Sequence, residues 1–257
     1  MAKYIFHHDI PSESDRMNQM ADVLDGVSRT HLGRIPVQKD WHCLEVGAGN
    51  GSLSQWLGPN LPDGIIHVTD MNPDLIADAD GSNLSVRGLN VVNDHIGEAV
   101  YDLIFMRAVL HHIPEREAVL TKLIQALKPG GWIFIHEPDI HPSRSAPDEA
   151  VRLLWSQFFS WAADLGIDYN TGTRIPQMLK KRGMTNISAW GDTAVYPGGS
   201  GYALWLQLTI AEIAEKMVQA GNTTQDTLEQ FNQASVDPDR WHMSFSFVGT
   251  IAMKDDS

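Results

Sequence analysis

The chain has 257 residues, 43% of them hydrophobic, which is enough to bury the core of one large domain or of one domain with an insertion. Its 32 acidic and 19 basic side chains give a formal net charge of -13 at pH 7, which argues against binding to nucleic acid or to anionic membranes. The sequence has no signal-peptide pattern, no membrane-spanning apolar run and a single cysteine, Cys43, which we expect in the core, so we predict a cytoplasmic protein.

The first predicted element is an amphipathic helix from Ser12 to Leu32. Apolar residues recur in it at helical spacing, namely Met17, Met20, Ala21, Leu24 and Val27. Five short apolar runs follow, several of them separated by helical patterns: HCLEV, GIIHVTD, LSVRGLN, YDLIFMRAV and WIFIHE. Strands that alternate with helices at this spacing are typical of right-handed crossovers, so the sequence predicts an α/β fold with a parallel sheet.

The remainder of the chain predicts further helices and two more strands. A strongly apolar helix is expected over residues 151–165 and a shorter one over residues 173–182. The segments NISAWGDTAVY and HMSFSFVGTIAM have the alternation of strands. Between them, after YPGGSG, we expect a long helical insertion over residues 201–234.

The segment LEVGAGNGS, residues 44–52, places three glycines between the first predicted strand and a helix. Its G-x-G-x-G spacing differs from the G-x-G-x-x-G pattern of dinucleotide-binding proteins, and it lacks the Lys-Ser/Thr pair of a P-loop. Glu45 precedes the first glycine by two residues, where a carboxylate repels a pyrophosphate but suits an ammonium group. Asp70 ends the second predicted strand, where an acid can bind the vicinal hydroxyls of a ribose. S-adenosylmethionine contains both an ammonium group and a ribose.

Four segments together resemble class I S-adenosylmethionine-dependent methyltransferases, and within them the small-molecule branch that acts on quinones, sterols and secondary metabolites. They are CLEVGAGNGSLSQWL, HVTDMNPDL, YDLIFMRAVLHHIPERE and ALKPGGWIFIHEPD, in the family's order and spacing between Trp41 and Asp139. The resemblance implies a Rossmann-like fold whose seven-stranded, mostly parallel sheet has one antiparallel strand and helices on both faces. It also implies a single domain with three parts: an N-terminal helical lid (1–35), a cofactor-binding core (36–140), and substrate-side helices with the last two strands (141–257), including the insertion at about 200–235.

The resemblance also assigns residues to the cofactor. The set is Glu45, Gly47, Ala48, Gly49, Asp70, Met71, Asn90, Val91 and Arg107. The first four would surround the methionine portion, Asp70 would bind the ribose, and Met71 would lie on the adenine. Either Asn90 or Asp94 would accept a hydrogen bond from the adenine amino group, and Arg107 would lie near the cofactor's carboxylate.

Simpler alternatives exist for three of these assignments. The glycines could serve only a tight turn, and Asp70 could only cap the NPD turn that follows it. Arg107 could pair with Glu115 or Glu137.

Methyl transfer is an in-line displacement, so a base is needed only where the acceptor retains its proton. Candidate catalytic residues lie where the fourth and fifth strands end: His111, His112, Glu137 and His141, with His136 beside them. Either His111 or His112 could act as a general base. The alternative for these adjacent residues is a role in packing and hydrogen bonding. Glu137 either positions the substrate or anchors the loop, and His141 is a further candidate base. Their spacing does not match the Mg-dependent branch of the family, so we predict no metal.

Two aromatic regions complete the prediction. The segment YIFHHD would fold over the cofactor as a lid or form a frayed terminus, and it contributes Tyr4, Phe6, His7 and His8. The apolar helix and the insertion carry Trp155, Phe158, Phe159, Trp161, Tyr202, Trp205, Leu206 and Leu208. Beyond what the core needs, these side chains would line an apolar acceptor pocket or form a homodimer interface.

The function predicted from this resemblance is methyl transfer from S-adenosylmethionine to an O, N or C atom of a small, apolar or aromatic natural-product-type acceptor. Two alternatives stay open. A methyltransferase fold can use the bound cofactor for a cyclisation or pericyclic step, or it can bind without catalysis.

Overall fold

The computed structural model of the chain describes residues 5–6, 11–76, 81 and 83–256. Its strands are β1 (His42–Val46), β2 (Ile65–Asp70), β3 (Leu84–Gly88), β4 (Tyr101–Arg107), β5 (Leu127–Asp139), β6 (Thr185–Pro197) and β7 (Trp241–Met253). Its helices are α1 (Pro11–Leu32), α2 (Ser52–Leu57), α3 (Arg116–Ala126), α4 (Glu149–Asp164), α5 (Ile175–Lys180), α6 (Gly201–Gln219) and α7 (Gln225–Val236).

The strands form one sheet in the order β3-β2-β1-β4-β5-β7-β6. Strands β1 to β5 pair in parallel, and β7 runs antiparallel to both of its neighbours, β5 and β6. The predicted seven-stranded sheet with one antiparallel strand is therefore confirmed. Since β1 lies between β2 and β4, the loops that follow these three strands leave the same edge of the sheet, which is where open parallel sheets bind ligands.

Helix α1 begins one residue before the predicted start and packs on one face of the sheet. Leu32, at its end, belongs to the same buried cluster as Cys43 of β1, Phe105 of β4 and Phe134 of β5. Cys43 is thus a core residue, as predicted, and burial raises the pKa of its thiol. The first half of α1 packs against α6 of the insertion, so this insertion and the N-terminal helix support each other.

The aromatic residues of α4 pack against one another and on Phe245 of β7, which also contacts Trp205 of α6. The ring of Trp155 lies 5.6 Å from the rings of Phe158, Phe159 and Phe245. Side chains that fill one another's space cannot also face a second copy of the chain. The buried members of the predicted aromatic set therefore belong to the core, and an acceptor pocket or a homodimer interface formed by the remaining ones stays a prediction. The buried ones are Trp155, Phe158, Phe159, Trp161 and Trp205.

Across the helices of the described residues, none combines the length and the apolar character needed to span a bilayer. The predicted division into a lid, a core and a substrate-side part stays a prediction.

Candidate active site

The glycine loop connects β1 to α2 in a conformation that other residues rarely adopt. Gly47, Gly49 and Gly51 have φ angles of +65°, +60° and +74°, in the left-handed region. A Cβ atom on Gly47 would lie 2.5 Å from Cγ2 of Val109, and one on Gly49 would lie 2.7 Å from Sδ of Met17. The glycines therefore serve more than the turn, because they also let the β4 loop and α1 approach the main chain.

Asp70 joins the end of β2 to the glycine loop. Its Oδ2 atom accepts a hydrogen bond of 3.0 Å from the main-chain N–H of Gly49, and Oδ1 accepts one of 3.0 Å from that of Asn72. The turn that follows is capped by Asn72, whose side chain accepts a hydrogen bond from the N–H of Asp74. The N-cap of that turn is therefore Asn72, and Asp70 supports the turn only through the N–H of Asn72. The next side chain, Met71, is 63% exposed at the same edge.

Glu45 lies deeper than the loop that it precedes. Its side chain is buried between β1 and α2, where it accepts a short hydrogen bond from the hydroxyl of Ser54. Burial raises the pKa of Glu45 to about 7, because desolvation disfavours the carboxylate more than Ser54 and Arg107 stabilise it. The charge that the sequence suggested beside the loop is thus only partly present at neutral pH.

The predicted adenine contacts surround a turn after β3. The side-chain oxygen of Asn90 accepts hydrogen bonds from the N–H groups of Val92 (3.1 Å) and Asn93 (3.3 Å). Asp94 accepts a hydrogen bond of 2.7 Å from the N–H of Asn90. The side chain of Val91, which follows Asn90, is buried. Both side chains stabilise this turn, and a contact of Asn90, Val91 or Asp94 with adenine stays a prediction.

Arg107 ends β4 and pairs with α1. Its guanidinium group donates to Oδ1 of Asp25 at 2.7 Å and to Oγ of Ser28 at 3.2 Å. The predicted alternatives, Glu115 and Glu137, are therefore not its partners. Asp25 also accepts hydrogen bonds from Arg29, at 2.7 Å, and from the hydroxyl of Ser52, at 3.0 Å.

Asp25 was missed by the sequence reasoning. The available signal was an acid on the inner face of the N-terminal helix, between buried Leu24 and Ser28. Ser28 extends the same cluster, since its Oγ lies 2.9 Å from Nδ1 of His136. Burial lowers the pKa of His136 well below its usual value, and the positive charge of Arg107 adds to this effect.

Glu137 anchors the loop after β4. Its Oε1 atom accepts the N–H groups of Val109 and Leu110, both at 2.8 Å, and Oε2 accepts the N–H of His111 at 3.1 Å. Nδ1 of His111 lies 2.7 Å from the same Oε2 atom. Of the two predicted roles of Glu137, the structure favours anchoring of the loop, because both of its oxygens are used within it.

His112 is enclosed beside His111 and the N-terminal segment. Its ring centroid is 3.8 Å from that of His111 and 6.1 Å from that of Phe6. Burial lowers the pKa of His112 well below its usual value, and the neighbouring His111 and Arg16 add to this effect. His112 is therefore neutral at pH 7 and a weak base. Of the predicted lid, Phe6 is described and buried, whereas Tyr4, His7 and His8 lie outside the described residues.

His141 stands apart from the other candidate bases. Its side chain is 60% exposed, and its Nδ1 atom forms a short contact with Asp139 instead of joining His111 and Glu137. Burial raises the pKa of Asp139, but hydrogen bonds from Thr173 and His141 outweigh this and lower it overall. Within the described part of the chain, no three His, Cys, Asp or Glu side chains are grouped as a metal site.

Residues 44–133 match a family model described as a methyltransferase domain. This part of the chain is similar to methyltransferase domains. The matched span runs from β1 into β5 and includes the glycine loop, Asp70 and the loop after β4. The resemblance to class I methyltransferases is confirmed by this match.

Curated relatives align with this chain over only part of their own length. The chain is 35% identical over 97 residues to methyltransferase str2 of Strobilurus tenacellus, and this alignment covers 37% of the chain and 35% of that protein. The chain thus spans little more than a third of the length of the curated relatives that it matches first.

Solved structures with the same fold differ in what their names describe. Phosphoethanolamine N-methyltransferase 2 of Haemonchus contortus, in complex with S-adenosyl-L-methionine, has a TM-score of 0.58 at 14% identity, covering 94% of this chain and 57% of that one. The cyclase SpnF has a TM-score of 0.55 at 13% identity, covering 92% and 82%. Likeness at this identity shows the fold and leaves the reaction open.

Proposed function

We propose that the protein transfers a methyl group from S-adenosylmethionine to an O, N or C atom of a small acceptor with an apolar or aromatic body. The observation that carries this proposal is the glycine loop, whose side-chain-free backbone is held to the end of β2 by the hydrogen bond from Gly49 to Asp70. The family match over residues 44–133 and the complex of the Haemonchus contortus enzyme with S-adenosyl-L-methionine support the same cofactor.

The residues of the loop fit this cofactor. The backbone of Gly47 and Gly49 would lie along its methionine portion, since only the flexible thioether of Met17 lies on Gly49. Asp70 accepts hydrogen bonds from the main-chain N–H groups of Gly49 and Asn72, and its carboxylate would bind a ribose hydroxyl at the end of β2. Exposed Met71 offers an apolar surface to the adenine.

When bound, the cofactor supplies a methyl group activated by a positively charged sulfur. The chain then has to align the acceptor and exclude water. Buried Phe6, Met17 and Leu110 surround the loops after β1 and β4 with apolar groups, which suits the exclusion of water.

For an acceptor that carries a proton, His111 is the base that the geometry favours. Glu137 already accepts three N–H groups, so its carboxylate binds Nδ1 of His111 as a hydrogen-bond acceptor and Nδ1 carries the proton. Nε2 of His111 is then the atom that can accept a proton from the acceptor.

The experiment combines binding with turnover. Calorimetry should show binding of S-adenosylmethionine, and incubation with phenols, amines and enolisable ketones should yield S-adenosylhomocysteine with at least one class. His111→Gln should lower kcat for proton-bearing acceptors by about 100-fold or more, whereas exposed His95→Gln should leave it unchanged.

No binding of S-adenosylmethionine would overturn the proposal. Conversion of an acceptor without formation of S-adenosylhomocysteine would replace it with the cyclisation alternative. Binding with no conversion of any acceptor would favour a non-catalytic binding protein.

A further inference from the structure

A cleft of about 580 Å³ lies beside α4, at the end of β5. One wall is formed by residues 140–144, which directly follow β5, and another by the outer face of α4. Asn170 closes it from the side. This cleft is separate from the glycine loop, and none of the predicted cofactor or catalytic residues lines it.

The cleft contains two arginines that lack an acidic partner in the described part of the chain. They are Arg144, which is exposed, and Arg152, which donates one hydrogen bond of 2.8 Å to the carbonyl of Ala146. Glu149 also lines the cleft but forms no ion pair with either of them. Seven other arginines do pair with a carboxylate: Arg16, Arg29, Arg107, Arg116, Arg174, Arg182 and Arg240.

In a chain with a formal net charge of -13, two unpaired arginines in one cleft leave a local excess of positive charge. Ser156 and Ser160 line the same cleft and can donate hydrogen bonds to an anion, whereas the hydroxyl of Ser143 already donates to the carbonyl of Ile140. An adjoining cleft of about 310 Å³ differs in this respect, because its Arg240 is already paired with Asp148. The positive charge is therefore concentrated at the end next to β5.

The floor of the cleft is apolar and leads towards the loop after β4. Phe159 lines the cleft, and its ring centroid is 5.1 Å from that of Tyr169. The ring of Tyr169 lies in turn 4.7 Å from that of His111. A hydrogen bond of 3.0 Å from the N–H of Ile140 to the carbonyl of Tyr169 joins the wall formed by residues 140–144 to the segment that carries Asn170. The rings of Phe159 and Tyr169 thus lie between the cleft and the candidate base.

We propose that this cleft binds the anionic end of the acceptor, so that the acceptor class is a small carboxylate-bearing molecule with an apolar or aromatic body. Arg144 and Arg152 would bind the carboxylate, and the body would lie along Phe159 and Leu153 towards Tyr169. This inference rests on the proposed function.

The test compares two probes of nearly the same shape, the anion trans-cinnamate and the neutral trans-cinnamamide, by ligand-observed NMR titration without S-adenosylmethionine. The wild-type chain should bind cinnamate about fivefold more tightly than the amide, the effect of two partly exposed ion pairs. The double variant Arg144→Gln/Arg152→Gln should lose this preference. The control Lys180→Gln/Lys181→Gln removes the same two charges from exposed positions on and after α5 and should retain it.

A second variant tests the same proposal if the arginine double variant fails to fold. Ser160→Glu places a negative charge in the cleft from an exposed position, and it should weaken binding of cinnamate while leaving that of the amide unchanged. Equal binding of both probes by the wild-type chain would overturn the proposal, and so would a preference for cinnamate that survives in the arginine double variant.

Turnover links the cleft to the acceptor. 4-Hydroxycinnamate should exceed 4-hydroxycinnamamide in kcat/KM by a similar factor, and the arginine double variant should abolish the difference whereas the lysine control should retain it. Equal kcat/KM values for acid and amide would overturn the assignment to the acceptor. Binding of S-adenosylmethionine, measured on the same samples, separates the two proposals: its absence rejects the proposed function, whereas its presence without preference for cinnamate rejects only this inference.

Discussion

Glu45 precedes the glycine loop, as the sequence indicates, but its pKa differs from that of an ordinary glutamate. The carboxyl group lies in the interface between β1 and α2, with only Ser54 as a hydrogen-bond partner on that helix. Burial raises its pKa to about 7 from the ordinary value of 4.5. The folded state therefore binds this proton more tightly than the unfolded chain does. The stability that Glu45 contributes is complete below about pH 4.5 and is lost as the pH rises through about 7.

The direction of this pKa shift leads to a prediction for Glu45→Gln, whose uncharged side chain resembles protonated Glu45 at every pH. Relative to the wild-type protein, the free energy of unfolding of the variant should rise by about 2–3 kcal/mol between pH 5 and pH 8. Urea denaturation at both pH values measures it. Glu98→Gln, at an exposed position, should show no such change. A difference between Glu45→Gln and wild type that does not vary with pH would contradict the raised pKa.

Asp70 is the second residue whose role can be tested alone. Asp70→Asn keeps the size of the side chain and one acceptor oxygen, but it removes the charge and places a donor towards a ribose hydroxyl or the N–H of Gly49. The affinity for S-adenosylmethionine should fall by about 1–3 kcal/mol, or roughly 5- to 150-fold, in a calorimetric titration. Exposed Asp74→Asn, four residues later, should bind as tightly as wild type. Unchanged affinity in Asp70→Asn would remove Asp70 from the site.

At the scale of elements, the loop after β4 depends on the strand beside it. Ala108 has a φ angle of +57°, in the left-handed region that a residue with a Cβ atom seldom adopts. Its N–H donates to the carbonyl of His136, and the next three N–H groups donate to the carboxylate of Glu137. The turn is therefore held in place by β5, which fixes where His111 lies.

Glu137→Gln should unfold this arrangement, because an amide group cannot accept on both sides and its NH₂ would face N–H donors in a buried place. We expect the free energy of unfolding to fall by about 3–5 kcal/mol. Glu117→Gln is the matched control, since it breaks a pair with Arg182 in which the glutamate side chain is 64% exposed, and it should cost less than about 1 kcal/mol. Similar losses in the two variants, measured by urea denaturation, would show that Glu137 does not anchor the loop.

At the scale of the whole molecule, the aromatic core joins α4 to the insertion and β7. Trp155 of α4 is 1% exposed and packs on Phe231 of α7 and on Phe245 of β7. Trp205 of α6 packs on the same Phe245. The insertion is therefore part of the folded core of the protein, although it lies between the last two strands in the chain.

Trp155→Ala should consequently destabilise the entire domain. The expected loss is about 3–5 kcal/mol in the free energy of unfolding, from lost burial and from the cavity that remains. Trp241→Ala removes the same side chain from a position that is 58% exposed, and its effect should stay within about 1 kcal/mol. Thermal and urea unfolding of both variants measure the difference. A mild effect of Trp155→Ala would show that this aromatic core does not hold α4 to α7 and β7.

The amino-acid sequence by itself determined the local features of the site. The strand, glycine loop and helix over residues 42–57, and the acid at the end of β2, were predictable because periodicity and glycine spacing encode dihedral angles within a few residues. The alternation of strands and helices likewise predicted the parallel sheet. A known resemblance added the order of the motifs.

The tertiary structure alone decided which side chains meet. Asp25 and Arg107 are 82 residues apart, Glu137 and Val109 are 28 apart, and no local pattern links their partners. It also decided that Trp155 lies in the core, since an aromatic side chain has the same apolar character whether it lines a pocket, an interface or the interior. The environment that sets the pKa of Glu45, and in which no described carboxylate pairs with Arg144 or Arg152, forms only when distant elements pack together, because burial and charge pairing depend on distances in space.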